Sequence, residues 1–418
     1  MSSITAYAGV TAAYWALMLT DGALRMLVLL HFHTLGFTPV QLAYLFLLYE
    51  FAGMVTNLCA GWIAARLGMT VTLYAGLVSQ VLALLALAAL NPAWALGLSV
   101  AYVMLVQGVS GVAKDLTKMS SKSAVKLLAP ETQGGLFRWV AALTGSKNVV
   151  KGLGFLLGAA LLAVFGFKAT VVGMAAILTL ILGAIFVAMP SSLPAGRKGV
   201  KFSEVFSKSA NINWLSASRV FLFGARDVWF VVGIPIYFYA VLSDGTEESR
   251  RSAFFAIGTF MALWIILYGA VQATAPRVLG AASQPEAALV GKARFWAWGL
   301  GVIPAVLTLA VLLFPATHPA LTAILVLGLL VFAGVFAVNS SLHSYLILAF
   351  SSSKRVTMDV GFYYMANAGG RLLGTALSGL AFQLGGLTLL FAVATVMVCL
   401  SALAAGKLTG EPENSAKA

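Results

Sequence analysis

The chain has 418 residues, of which 61% are hydrophobic and 9% are charged, and its formal net charge is +13. Soluble domains carry about 25% charged residues, so this composition excludes a soluble globular protein and indicates a polytopic membrane protein. The positive charges are scattered over short loops and apolar segments. This distribution argues against nucleic acid as a partner and leaves the lipid bilayer as the expected surroundings.

Twelve apolar segments are long enough to cross a bilayer, since ~20 helical residues span its hydrocarbon core. The first six are predicted at 7–35, 40–65, 69–90, 94–116, 136–165 and 168–189. The second six are predicted at 214–242, 253–274, 295–314, 321–350, 358–384 and 387–403. The sequence therefore predicts an all-α polytopic membrane protein.

A long polar connection divides these segments into two sets of six. It predicts an N-terminal six-helix bundle at 1–189, a cytoplasmic linker at 190–213, a C-terminal bundle at 214–406 and a cytoplasmic tail at 407–418. The halves repeat weakly: residues 22–25 (GALR) align with 224–227 (GARD), and residues 151–154 (KGLG) align with 371–374 (RLLG). Two parallel six-helix repeats, pseudo-symmetric about a midplane site, describe the major facilitator fold.

The loops indicate an orientation. Most Lys and Arg residues outside the spans fall on one side if the N-terminus is placed inside. The positive-inside rule then predicts that both termini are cytoplasmic, as in a carrier of the bacterial inner (plasma) membrane.

Basic side chains interrupt the predicted spans, although a charge at mid-membrane costs at least ~2.5 kcal/mol. These residues are Arg25, Lys147, Lys151, Arg219, Arg226 and Arg371. The acids at comparable depth are Asp21, Glu50 and Asp227. Because the buried cations outnumber the acids, the pattern predicts an internal cavity that holds an anion.

Arginines from the first and seventh spans are the first choices for binding this anion. Arg25 and Arg226 could hold one phosphate-like group, since a guanidinium group gives forked N–H donors to its oxygens. Lys147 and Lys151 are four residues apart and share a helix face. The predicted substrate-binding residues are Arg25, Arg226, Lys147, Lys151, Arg371, Asn148, Asn367 and Tyr49.

Structural roles are alternatives for several of these charges. Asp21 and Arg25, four residues apart, could form a salt bridge that only fixes the helix. Asp227 is a poor partner for Arg226, because neighbouring residues do not face each other on a helix. Arg219 is nearer the cytoplasmic end of its span and could extend its charged end to the interface.

Carboxyl groups and a row of lysines suggest coupling and attraction of the substrate. Glu50 could carry a proton during proton antiport, which is a plausible drive for export, since apolar surroundings favour its neutral form; a structural partnership with a neighbouring cation is the alternative. Asp21 and Asp227 are rival proton carriers or gating groups. Lys114 and Lys118 begin a row that could attract a polyanion on the cytoplasmic side or anchor the helix to anionic lipid, with Asp115 as a local tether.

The sequence lacks the signals of enzymatic or ATP-driven chemistry. The four histidines show no metal-ligand spacing, and no G-x-x-x-x-G-K-[ST] loop occurs. We therefore expect no catalytic residue, no metal and no cofactor.

Four polar-studded strings carry a resemblance to a known family. They are residues 14–37 (YWALMLTDGALRMLVLLHFHTLGF), 114–128 (KDLTKMSSKSAVKLL), 138–158 (RWVAALTGSKNVVKGLGFLLG) and 219–235 (RVFLFGARDVWFVVGIP). Together they resemble the organoarsenical efflux permeases of the major facilitator superfamily. The resemblance implies export of 1-arseno-3-phosphoglycerate, arsenate resistance, and a functional partnership with the glyceraldehyde-3-phosphate dehydrogenase that makes this ester.

The arginine pair also resembles that of organophosphate–phosphate antiporters, in which arginines from both halves hold the phosphate. Three functions follow as hypotheses: a secondary active exporter of a phosphorylated organoarsenical, an organophosphate/phosphate antiporter without arsenic specificity, and a membrane receptor or scaffold. The first is preferred, and the protein is expected to be a monomer that works by alternating access.

Overall fold

The computed structural model describes residues 3–128, 135–188, 209–280, 284–351 and 356–409. Regular structure in these ranges is helical throughout. The helices of the first part of the chain are α1 (Ser3–Thr34), α2 (Pro39–Leu67), α3 (Met69–Ala88), α4 (Leu96–Leu128) and α5 (Gly135–Ala188). The later helices are α6 (Ala210–Val228), α7 (Ile234–Leu242), α8 (Glu247–Val278), α9 (Glu286–Leu313), α10 (Pro319–Phe350) and α11 (Val356–Ala405).

Ten helices in the described ranges are long and apolar enough to cross a membrane. This confirms the prediction of an all-helical, multi-pass membrane protein. One of these spans, Ala210–Leu242, joins α6 and α7 through one turn of π-helix at Trp229–Gly233.

Two helices are interrupted at glycines. α5 has 54 residues, so an unbroken helix would be ~80 Å long, more than twice the hydrocarbon thickness. It is broken at Gly166, whose φ of 73° lies in the left-handed region that glycine tolerates. α11 is broken at Gly385 and Gly386. The predicted boundaries between spans five and six and between spans eleven and twelve fall at these glycines, and the count of twelve crossings stays a prediction.

The chain divides into two compact units. Unit 1 comprises Met1–Gly36, Tyr44–Phe202 and Gly245–Ile265, and unit 2 comprises Phe37–Ala43, Ser203–Asp244 and Ile266–Ala418. The start of α2 thus belongs to unit 2, and the first part of α8 belongs to unit 1. Most of the predicted linker at 190–213 and most of the tail at 407–418 lie outside the described residues, so their limits stay predictions.

Within unit 1, α1 and α5 pack backbone to backbone through glycines. A Cβ atom added at Gly22 would lie 2.5 Å from the carbonyl oxygen of Lys151. Gly154 and Gly158 of α5 approach the α1 backbone just as closely. Small residues allow such close approach of membrane helices. Because the two backbones approach so closely, side chains that flank these glycines on α1 lie next to side chains that flank them on α5.

Unit 2 repeats this arrangement with α6 and α11. Gly224 of α6 lies against Gly370 and Gly374 of α11, and a Cβ atom at Gly374 would lie 2.9 Å from the Cβ of Asp227. Gly224 aligns with Gly22 in the predicted repeat, and Gly374 aligns with Gly154. The internal repeat predicted from short strings is thus confirmed in the helix packing of each unit.

Candidate functional site

Unit 1 contains a cluster of buried charges, which we call the first cluster. It comprises Asp21, Arg25, Tyr49, Glu50, Lys114 and Lys151. Arg25 Nη2 lies 2.5 Å from Glu50 Oε1, and the two side chains are 6% and 0% exposed. Lys151 Nζ lies 2.7 Å from Asp21 Oδ2. The glycine contacts between α1 and α5 bring this lysine and aspartate together.

Tyr49 connects the two ion pairs of the first cluster. Its hydroxyl group donates a hydrogen bond to Asp21 Oδ1. Its ring centre lies 4.2 Å from Lys114 Nζ and 5.1 Å from Arg25 Cζ. Both distances suit cation–π attraction, which strengthens where water is excluded. The predicted binding residue Tyr49 is therefore next to two of the predicted cations.

The predicted tether of the lysine row is confirmed. Asp115 Oδ1 lies 2.9 Å from Lys118 Nζ, and Asp115 Oδ2 lies 3.5 Å from Lys114 Nζ. Lys118 also donates to Asn57 Oδ1 at 2.7 Å. The Lys114 side chain is 8% exposed, so it is buried inside the protein. The side chains of Lys122 and Lys126, farther along the row, lie outside the described residues.

The pairing within α1 differs from the predicted alternative. The alternative of an Asp21–Arg25 bridge is wrong, because the two residues pair with different neighbouring helices: Asp21 pairs with Lys151 of α5, and Arg25 pairs with Glu50 of α2. The alternative of a structural partnership between Glu50 and a neighbouring cation is thus confirmed. Lys147 and Asn148 lie one turn before Lys151 on α5, with Lys147 partly buried and Asn148 buried.

Unit 2 contains the second cluster, which comprises Arg219, Arg226, Asp227, Asn367 and Arg371. Arg226 Nε donates to Asp227 Oδ1 at 2.6 Å. Arg371 Nε lies 3.4 Å from Asp227 Oδ2. One buried carboxylate therefore serves two guanidinium groups. Our expectation that Arg226 and Asp227 would pair poorly is wrong, because the long arginine side chain folds back to its neighbour.

Arg219 is the member of the second cluster that lies outside the predicted site. It is 4% exposed, so the alternative in which it extends to the interface is wrong. Arg219 Nε donates to Asn367 Oδ1 at 2.9 Å, which places the predicted residue Asn367 in the cluster. The signal in the sequence was spacing: residues 219, 223, 226 and 230 share one helix face, and arginine alternates there with phenylalanine.

A change in helix type follows the second cluster directly. The π-helical turn at Trp229–Gly233 begins two residues after Asp227. The backbone N–H groups of Val232 and Gly233 donate to Ser378 Oγ of α11 at 3.1 and 3.3 Å. Single π-turns inside α-helices are often found at functional sites. α1, which carries the equivalent stretch of unit 1, is a regular α-helix from Ser3 to Thr34.

Cations exceed acids in both clusters. In and around the first cluster, the described cations are Arg25, Lys114, Lys118, Lys147 and Lys151, and the described acids are Asp21, Glu50 and Asp115. In the second cluster, three arginines accompany Asp227. Asp359 of α11 is also buried and lies about three turns before Arg371. The prediction that Arg25 and Arg226 share one ligand stays a prediction.

Comparison with known proteins identifies the fold. No family model and no curated protein matches the sequence. The structure resembles a transporter of the POT family solved with 5-aminolevulinic acid, with a TM-score of 0.72 and 15% identity over 95% of this chain and 94% of that one.

Two further solved structures agree. A bacterial homologue of the iron transporter ferroportin, in an inward-facing state, gives a TM-score of 0.70 with 15% identity over 98% of this chain and 99% of that one. The nucleoside transporter NupG gives 0.69 with 15% identity over 96% and 98%. The chain therefore has the major facilitator-like fold of these membrane transporters.

Proposed function

We propose that this protein is a secondary active transporter that exports a small phosphorylated organic anion from the cytoplasm by alternating access. The observation that carries the proposal is the excess of buried cations in both clusters. In the second cluster, Asp227 is shared between Arg226 and Arg371, and Arg219 has uncharged partners. Buried charges without counter-charges are costly, so a multiply charged anion would stabilise this arrangement.

The ion pairs within the clusters would compete with a bound anion. A phosphate-like group that binds Arg25 or Arg226 must compete with Glu50 or Asp227, which now occupy the guanidinium groups. After release of the anion, the same carboxylates can return to the arginines. The empty carrier would then reset without exposing unpaired buried charge.

The competition between carboxylates and anion for the arginines determines how protons and substrate are coupled. Protonation of Glu50 or Asp227 would free an arginine and favour anion binding, so protons and substrate would bind the same form. Proton antiport, which the sequence had suggested, requires the opposite coupling. A membrane potential that is negative inside favours anion export by about 2.3 kcal/mol per charge per 100 mV. We therefore propose that the potential, and not a proton gradient, drives export.

The arsenic specificity rests on the family resemblance. The four resembling strings contain Asp21 and Arg25, Lys114 and Lys118, Lys147 and Lys151, and Arg219, Arg226 and Asp227. They thus contribute to both charge clusters. We propose 1-arseno-3-phosphoglycerate as the substrate, glyceraldehyde-3-phosphate dehydrogenase as its source, and the bacterial inner membrane, with cytoplasmic termini, as the location.

An organophosphate/phosphate antiporter without arsenic specificity is the second candidate. It is favoured by the donor chemistry, because arginine and lysine N–H groups bind phosphate and arsenate oxygens alike. The cysteines of the chain, Cys59 and Cys399, are both free and lie in α2 and α11. Thiolate chemistry therefore does not separate the two candidates, and a transport assay must.

The test is uptake into inverted membrane vesicles, with the arseno ester, 3-phosphoglycerate and phosphate offered separately. We expect accumulation of the ester in wild-type vesicles and its loss in Arg25→Ala and Arg226→Ala. Arg251→Ala is the matched control, because Arg251 forms an exposed pair with Glu247. Full uptake by both cluster variants would remove the site. Equal uptake of all three anions would favour the second candidate.

The same vesicles test the driving force. An imposed potential that favours anion entry into the vesicle, without a pH gradient, should support uptake of the ester. Uptake that requires a proton gradient and ignores the potential would exclude the proposed coupling while leaving the substrate assignment intact.

A further inference from the structure

Three polar side chains converge on Ser340 of α10 in unit 2. Arg219 Nη1 and Gln272 Nε2 each lie 3.1 Å from Ser340 Oγ. The Tyr268 hydroxyl group lies 3.3 Å from the same atom. Either hydroxyl group can be the donor in that contact, so Ser340 Oγ can accept from Arg219 and Gln272 with its two lone pairs and donate to Tyr268. We call Arg219, Tyr268, Gln272 and Ser340 the Ser340 subsite.

The acceptors around the Ser340 subsite are uncharged. Besides Ser340 Oγ, Arg219 reaches the Ser340 carbonyl oxygen at 3.2 Å and Asn367 Oδ1 at 2.9 Å. Among the residues that the structure describes, no carboxylate pairs with Arg219, although this side chain is 4% exposed. A buried guanidinium group is best satisfied by an ionised acceptor. The subsite is therefore rich in donors and poor in negative charge.

A buried histidine adds a second, independent sign of an incomplete site. His343 lies one helical turn after Ser340 and is 0% exposed. Neither of its ring nitrogens has a hydrogen-bond partner within the described ranges. The Arg219 guanidinium group is close enough to act electrostatically on this ring. Buried polar atoms in native proteins are normally satisfied, so this histidine marks polar capacity that the chain itself does not use.

The Ser340 subsite lies beside the Arg226–Asp227 pair. The ring of Phe223 lies between the two arginines on α6, with Arg219 Cζ at 4.0 Å and Arg226 Cζ at 4.9 Å from its centre. The two guanidinium groups therefore cannot be farther apart than these two distances combined. A small molecule with an anionic group at each end could reach both.

We infer that the Ser340 subsite binds the second anionic group of a substrate whose first anionic group is held by Arg226. The ligand class is a three-carbon ester with an oxyanion at each end, to which 1-arseno-3-phosphoglycerate belongs. This inference rests on the proposed function and deepens it. It assigns to Arg219 the selection of doubly anionic over singly anionic substrates, a role that the Arg226–Asp227 pair alone cannot have.

The experiment measures ligand binding to the purified full-length protein by isothermal titration. The probes are 1,3-propanediol bisphosphate and 1-propyl phosphate, which share three carbons and differ in one phosphate group. We expect wild type to prefer the bisphosphate by about tenfold or more, as charge-assisted hydrogen bonds are the strong ones. Arg219→Gln should lose this preference while changing propyl phosphate affinity little. Arg226→Gln should weaken both probes.

A second variant covers the case in which Arg219→Gln does not fold. Gln272→Glu places a carboxylate beside Arg219 and so supplies the missing counter-charge from within the chain. We expect it to fold and to lose the preference for the bisphosphate. Gln383→Glu is the matched control, because Gln383 is exposed near the other end of the first segment of α11 and should keep the wild-type preference.

The outcomes distinguish a failure of the Ser340 subsite from a failure of the proposed function. If wild type binds neither probe, the proposed function fails. If wild type binds the bisphosphate more tightly and both Arg219→Gln and Gln272→Glu keep that preference, the Ser340 subsite is overturned while the proposed function stands. Equal weakening of both probes by Arg219→Gln would also overturn the subsite, since it would show a general structural role.

Discussion

The two charge clusters differ in how their buried cations are paired with acids. In the first cluster, each of the two acids has its own cation: Glu50 pairs with Arg25, and Asp21 pairs with Lys151. In the second cluster, Asp227 holds both Arg226 and Arg371, and Arg219 depends on uncharged oxygens. The acids of the first cluster are therefore paired one to one, whereas the second cluster shares one acid between two arginines and leaves Arg219 without an acidic partner among the described residues.

The helices that carry the clusters differ in the same direction. α1 is a regular helix packed on α5 through Gly22, Gly154 and Gly158. The α6–α7 span keeps the equivalent glycine contact but adds the π-helical turn, whose N–H groups bond to Ser378 of α11. A regular helix with paired charges suits a supporting role. An irregular helix beside a charge excess suits the part of a carrier that binds and changes shape.

The largest expected effect that separates the clusters is that of Asp227→Asn. Removing one partner of a buried ion pair costs about 3–5 kcal/mol, and here one acid serves two arginines. In thermal unfolding of the detergent-purified protein, we expect Asp227→Asn to lose more stability than Glu50→Gln, because Glu50→Gln leaves only one arginine without its acid. We also expect 1,3-propanediol bisphosphate to restore part of the loss in Asp227→Asn. An equal or smaller loss for Asp227→Asn would end the distinction between the clusters.

The next effect tests whether the Arg25–Glu50 pair is needed for folding or for transport. Replacing both members by apolar residues of similar size is often neutral or stabilising by about 1–4 kcal/mol relative to the pair, whereas single removal is costly. We expect Arg25→Met with Glu50→Leu to unfold at a higher temperature than either single variant and to transport nothing. A double variant that transports the ester would show that the first cluster is structural only.

Much of the fold follows from the sequence, because membrane crossing is imposed by the length and polarity of a segment. The predicted breaks near residues 166 and 385 agree with the structure since glycine tolerates the backbone turn there. The ion-pair partners of the buried charges could not be predicted from the sequence. Asp21 and Arg25 are one turn apart, and only the positions of α2 and α5 decide which helix each contacts.

Arg219 shows the same limit at the candidate site. Its position near the predicted end of a span allowed a side chain that extends to the interface. The sequence alone could not show that Ser340 and Asn367 would accept hydrogen bonds from it. The π-helical turn was also not predicted, because its stabilising contact comes from Ser378, 145 residues or more away along the chain. Long-range contacts of this kind are set by packing and not by local pattern.

A smaller effect distinguishes the helix packing of the two units. Gly22→Ala would place its Cβ 2.5 Å from a backbone oxygen of α5, which cannot move without separating the helices. Overpacking of this kind costs typically about 1–3 kcal/mol. At Gly224 the nearest atom is the terminal methyl of Met397, a flexible side chain. We expect Gly224→Ala to be the milder change in thermal unfolding, and the reverse order would mean that the α6–α11 contact is the tighter one.

The smallest expected effect concerns the π-helical turn. Ser378→Ala removes the hydroxyl oxygen that accepts from the N–H groups of Val232 and Gly233, and such a hydrogen bond contributes about 0.5–1.5 kcal/mol. Ser401→Ala is the control, because it removes a buried serine of the same helix that bonds to Ser218, away from the turn. If the turn serves transport, Ser378→Ala should reduce the rate of ester uptake more than Ser401→Ala at similar stability. Equal rates would assign the turn to packing alone, and the difference between the two units would then rest on their charges.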